Sequence, residues 1–209
     1  MFPASAVPVL GLTGPTGAGK SAAARLLAAL GCRVIDCDAL AREVVRPGSP
    51  VLAALAQAFG ADVLAGDGSL RRALLAQRAF ADADARETLN RLTHPAIGAL
   101  AVERAGQAPP DCPAIVLDAA ALPESALAQV CDHIAVITAP EALRLRRIML
   151  RDGAGESAAR QRIEAQRMIA YNAMPEKTSF LENGSDAPAA LLPQLKEVLL
   201  LAKEHAARG

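Results

Sequence analysis

A chain of 209 residues with 22 basic and 22 acidic side chains carries no formal net charge, and its aromatic side chains are four Phe and one Tyr, with no Trp. Balanced charge with so few stacking side chains argues against a nucleic-acid surface, and no uninterrupted apolar run approaches the ~20 residues of a membrane span. The length suits one α/β domain with insertions; the four cysteines form no C-x-x-C pair, which fits reduced thiols in a cytoplasm, and residues 1–5 lack the basic start of a signal peptide.

In chain order, residues 7–12 form an apolar run that reads as a strand, and residues 21–30, rich in Ala and Leu, read as a helix. Between them stands Gly14-Pro15-Thr16-Gly17-Ala18-Gly19-Lys20-Ser21, which satisfies G-x-x-x-x-G-K-[ST]. Strand, loop and helix in this order make a phosphate-binding loop rather than a ligand-free glycine turn. Its glycines let the backbone approach a phosphate, and successive N–H groups form an anion nest at the positive end of the helix. Lys20 can reach the β- and γ-phosphates of ATP, and the Ser21 hydroxyl can ligate Mg²⁺.

Gly31 is a natural helix stop, and residues 32–36 read as a short strand ending in acid. Helical runs are expected over residues 39–45, 51–59, 70–80, 84–93 and 95–104, with Pro47-Gly48-Ser49-Pro50 and Gly66-Asp67-Gly68 as breakers. The stretch from about 38 to 107 holds no convincing strand and reads as a helical insertion. Residues 114–118 then form a buried strand that delivers Asp118 to the carboxyl edge of the sheet. Residues 133–138 read as a strand, 141–151 as a helix, 157–170 as a helix capped by Ser157, 180–183 as a last strand and 191–206 as the closing helix. The alternation specifies an α/β fold, a parallel sheet flanked by helices.

A phosphate loop alone leaves the enzyme class open. N-K-x-D is missing, and the one D-x-x-G, at residues 152–155, follows a helix, so a GTPase is disfavoured. A small-molecule kinase then needs an acceptor site, a base and arginines over the transferring group. Asp36 and Asp38, two apart at a strand end, suit the acceptor carboxylates by period-two geometry, while Asp38 also suits a cap for the helix at Ala39. Arg144, Arg147 and Arg151 share a helix face before a glycine turn, as either a lid or a solvated basic face.

Here the chain resembles the dephospho-coenzyme A kinases. The likeness runs from Leu10 to about Ser185: the loop itself, Val34-Ile35-Asp36-Cys37-Asp38, Ala41-Arg42-Glu43, Phe59-Gly60, Gly68-Ser69-Leu70, Arg72, Leu74, Phe80, Leu92, His94-Pro95 and Ile97 fall in the family's order. The resemblance implies a P-loop kinase with a core at about 7–38 and 114–209, a helical acceptor-binding insertion at about 39–107 and a helical lid at about 141–170. It implies ATP with Mg²⁺ as phosphoryl donor, Asp38 as the base for the ribose 3′-hydroxyl of dephospho-coenzyme A, and Lys20 and Arg147 as the charges at the phosphoryl group. Residues 14–21, Arg147, Arg151 and Asn183 would hold the nucleotide and Ser21 the metal. Asp36, Asp38, Arg42, His94, Leu122, Glu124, Arg162 and Gln166 would face the acceptor. The family's Pro-Leu-Leu-x-Glu is Ala120-Ala121-Leu122-Pro123-Glu124 here, a glutamine common in the family is Arg144, and its Ala-Asp pair is replaced around Glu176-Lys177. A cytoplasmic monomer or small homo-oligomer is expected, with no nucleic-acid or membrane partner. Nucleoside or nucleoside-monophosphate kinases, and an ATP-binding regulatory module without transfer, are the alternatives.

Overall fold

Five strands, β1 (Val9–Thr13), β2 (Arg33–Asp36), β3 (Ile115–Asp118), β4 (His133–Thr138) and β5 (Thr178–Glu182), pair in the order β2-β3-β1-β4-β5, every pairing parallel. This is the computed structural model of the chain, and it describes residues 7–208; the expectation about the start at residues 1–5 lies outside them. The chain divides into two units. One takes in the residues up to Asp36 and from Ala105 onward, with all five strands; the other is Cys37–Arg104.

In the sheet unit β1 is buried along its whole length, as expected of a central parallel strand read from a continuous apolar run. The core of this unit gathers Leu10, Leu12, Val116, Ala135 and Ile137 of the strands with Ala23 and Leu27 of α1 (Lys20–Ala29). The last helix adds a stripe of Leu195, Val198, Leu199 and Ala202, spaced i, i+3, i+4, i+7 so that one face of a 3.6-residue period is buried. Gly11 is small for a local reason: a Cβ there would come within 2.6 Å of Leu122 Cδ2 and 3.0 Å of Cys131 Sγ. Leu122 is therefore a packing residue, wholly buried, and its expected contact with an acceptor is withdrawn. Lys177 donates to the carbonyls of Ala128, at 3.0 Å, and Cys131, at 2.8 Å, satisfying the end of a short 3₁₀ turn at Ala126–Ala128.

The second unit is helical: α2 (Cys37–Glu43), α3 (Pro50–Phe59), α4 (Arg72–Ala79) and α5 (Ala83–Ala105, whose last residue belongs to the sheet unit). Ser49 caps α3, its hydroxyl accepting from Leu52 N at 3.1 Å, and Val45, Leu55, Leu75 and Ala79 form a core of their own. A single antiparallel bridge, Leu64 with Leu70, is the extended pairing found there.

Three local expectations change. No loop separates β2 from α2, so Asp36 ends a strand and Asp38 lies in the first turn of a helix. The period-two argument does not relate them, and Asp38, the second residue of the helix, lies two positions past the cap position, which falls at Asp36. The expected break at Pro95 is absent, and α5 runs through it. Pro95 removes one helical donor, but Arg91 and Pro95 are exposed, so water can serve the orphaned Arg91 carbonyl. The helix after the glycine turn is α7 (Glu156–Glu164), shorter than expected, and Gly155 rather than Ser157 is its N-cap.

His133 starts β4 with its side chain buried; Nε2 lies 2.9 Å from Ser179 Oγ, Nδ1 has no hydrogen-bond partner, and the His205 ring stands at 5.2 Å. Burial, reinforced by His205, pushes its pKa down to about 4. The unfolded chain binds this proton below ~6.5 while the folded chain refuses it until about 4, so stability falls as pH drops through that window. The loss is at most about 3 kcal/mol. Thermal melts from pH 7 to 4.5 are expected to show a steeper decline for the native chain than for His133→Asn; equal slopes would count against the buried neutral imidazole.

Candidate nucleotide and phosphoryl-transfer site

The phosphate loop leaves the carboxyl end of β1, where the order β2-β3-β1-β4-β5 sends the chain from one side of β1 to the other. Gly14, Gly17 and Gly19 take φ of 139°, 78° and 105°, values that side-chain-bearing residues avoid. Space is also missing: a Cβ at Gly14 would overlap the Ile137 carbonyl, and one at Gly19 the Asn183 amide. Gly19 caps α1, and its carbonyl takes the N–H groups of Ala22 at 3.0 Å and Ala23 at 3.2 Å. The first N–H groups of α1 are thereby directed into the loop.

The cleft over this loop measures about 410 Å³, and Lys20, Ser21, Arg25, Arg147 and Arg151 stand in its lining with the loop glycines. Lys20 Nζ rests 3.1 Å from Asp118 Oδ1, an ion pair made possible because Leu12 and Asp118 are register partners on adjacent strands. Asp118 is itself the register partner of Asp36, so two strand-end carboxylates lie on neighbouring strands. Asp118 was legible as a strand-end acid; its place beside Lys20 depends on strand order.

Arg147 belongs to α6 (Glu141–Asp152) and is already engaged with the loop. Nη1 faces the carbonyls of Gly17 at 3.4 Å, Ala18 at 3.3 Å and Asn183 at 3.4 Å, Nη2 donates to Ser185 O, and Nε is 3.5 Å from Asp186 Oδ1. Burial lowers its pKa, as it does that of Arg144, whose Nε donates to Thr16 O at 2.9 Å. Arg147 thus makes a standing contact with the loop carbonyls. Asn183 is buried and donates through Nδ2 to Ala18 O at 2.8 Å, while its own N–H donates to Thr138 O at 2.8 Å. Gln166 Oε1 accepts from Thr16 N at 2.6 Å, so it touches the loop directly.

Other expected residues are placed as follows. Arg151 is held by Asp152, and Arg162 reaches the same carboxylate. Glu124 is exposed at the end of the 3₁₀ turn that buries Leu122. In the helical unit, Asp38 and Arg42 lie in the first and last turns of α2, and His94 sits half-buried within α5, where burial lowers its pKa. Ser21, exposed in the first turn of α1, and Asp118 offer the hard oxygens that suit Mg²⁺ arriving with a nucleotide. Among the described residues no helix is long and apolar enough to cross a membrane.

The model of the dephospho-CoA kinase family matches residues 8–187. A dephospho-CoA kinase of Syntrophotalea carbinolica is 42% identical over 193 residues, covering 90% of this chain and 92% of that one. A solved Thermus thermophilus structure aligns with a TM-score of 0.72 at 26% identity, over 97% of this chain and 95% of its own. A dephospho-CoA kinase structure from Campylobacter jejuni shares the fold with a TM-score of 0.50 at 21% identity, over 98% and 100%.

Proposed function

Since the chain belongs to the dephospho-CoA kinase family, an ATP-using group that catalyses the last step of coenzyme A synthesis, we propose how its own residues divide that reaction. The enzyme phosphorylates dephospho-coenzyme A, giving coenzyme A and ADP. The observation that carries the assignment of parts is the glycine loop with Lys20 beside Asp118 at the head of α1.

In this reading the loop N–H groups and Lys20 bind the β- and γ-phosphates, and Lys20 exchanges Asp118 for phosphate oxygen. Mg²⁺, held by Ser21 with Asp118 nearby, would neutralise phosphate charge. Arg147 and Asn183 keep the loop in shape by occupying its carbonyls, and Arg151 adds charge at the cleft. The acceptor's 3′-oxygen attacks the γ-phosphorus, the bond from that phosphorus to the β-bridging oxygen breaks, and the hydroxyl proton passes to the Asp38 carboxylate. Acceptor recognition is assigned to Asp36, Glu124, Arg162 and Gln166 of the sheet unit and to Arg42 and His94 of the helical unit. The unit Cys37–Arg104 is the acceptor-binding insertion, and residues 141–170 are the lid. The four cysteines are buried and outside any disulfide, which suits a reducing cytoplasm, and the enzyme acts there as a monomer or small homo-oligomer.

ADP release over a panel of dephospho-coenzyme A, adenosine and nucleoside monophosphates tests the reading. Turnover with dephospho-coenzyme A alone is expected; a nucleoside monophosphate turned over as well or better would overturn it.

A further inference from the structure

Asp152 is the last residue of α6, at the negative end of a helix dipole, where an acid opposes the helix. Its side chain is nevertheless only 19% exposed, and its carboxylate is shared by two arginines. Oδ1 accepts from Arg151 Nε at 2.7 Å, Oδ2 from Arg151 Nη2 at 2.9 Å, and Oδ2 also from Arg162 Nη1 of α7. The last pair spans the turn that begins at Gly153, whose φ is 61°, and so ties α6 to α7.

We propose that Asp152 is a positioning residue for phosphoryl transfer: it fixes the guanidinium of Arg151 at the phosphate cleft and sets Arg162 beside it. The side-on grip explains how it holds Arg151 without consuming it. A guanidinium has five N–H donors, and Asp152 takes one from Nε and one from Nη2. The Nη1 end stays available to a phosphate, on a side chain that lines the cleft with Lys20 and Ser21. Two cations on one anion leave net positive charge for the ligand. Preorganisation of this kind acts on transfer rate, because a fixed donor needs no reorientation as charge develops.

The proposal rests on the role given to Arg151 above. Asp152→Asn presents amide hydrogens to the arginine donors, so kcat/KM for ATP is expected to fall tenfold or more, with KM for dephospho-coenzyme A little changed. Partly exposed ion pairs contribute little to folding, so the melting temperature should stay within about 2 °C of the parent. Asp152→Glu, which keeps the charge, should recover part of the rate. In an Arg151→Ala background, adding Asp152→Asn should change the rate less than twofold. A single-variant effect under twofold, an undiminished loss in the Arg151→Ala background, or a matching drop in melting temperature would each overturn the proposal. Turnover by the parent enzyme is judged separately, so such a failure leaves the kinase reading intact.

Discussion

Lys20→Ala is expected to lower kcat by about two decades or more, equivalent to about 2.7 kcal/mol of transition-state stabilisation. The side chain reaches into the cleft from the first residue of α1 and pairs with Asp118 at 3.1 Å. As negative charge shifts onto the β–γ bridging oxygen, an ammonium fixed beside it stabilises the transition state more than the ground state. Alanine is an excellent helix former, and the lost ion pair is partly solvated, so folding should change by no more than about 1 kcal/mol. Steady-state turnover at saturating ATP, read beside a thermal melt, separates the effects. Near-parental turnover would remove Lys20 from the chemistry; a collapsed melting curve would make it a structural residue.

Asp38→Asn is the second large effect. Asparagine keeps the shape but loses the proton acceptor, so transfer should fall by about two decades while ATP binding persists. The helix begins at Cys37, so Asp38 also stands where negative charge favours the dipole, at about 0.3–1 kcal/mol. A purely structural Asp38 would show only that small loss of stability, with turnover unchanged. ATP binding by calorimetry alongside kcat therefore distinguishes base from helix residue.

What could be read from the sequence was what neighbouring residues determine. The phosphate loop was legible because its glycines, Lys20 and Ser21 are contiguous, and the backbone angles at Gly14, Gly17 and Gly19 meet that need. The strands were legible as apolar runs, and His133–Thr138 has the bounds expected. Boundaries without a break were not: no glycine or proline marks the change from strand to helix between Asp36 and Cys37, and Asp36 serves both as strand end and as the residue before the helix. Pro95 misled in the opposite direction, since an exposed proline can stay within a helix. Contacts between distant segments were beyond reach as well. The grip of Arg147 on Gly17 and Ala18, of Gln166 on Thr16, and the burial of Leu122 over Gly11 all depend on how the sheet and helices pack. Asp152 read as part of a flexible turn because its bond to Arg162 spans ten positions of the sequence.

The four thiols turn the molecule into its own opening clock. Cys32, Cys37, Cys112 and Cys131 are 7%, 4%, 7% and 3% exposed, and burial pushes the Cys32 thiol up to about 11. An alkylating reagent needs a solvated thiolate, so each cysteine reacts only when its own surroundings open. Three of them belong to the sheet unit and Cys37 to the helical one. Pulse alkylation followed by peptide mass analysis thus times the opening of the two units independently, in a chain that offers no tryptophan for fluorescence.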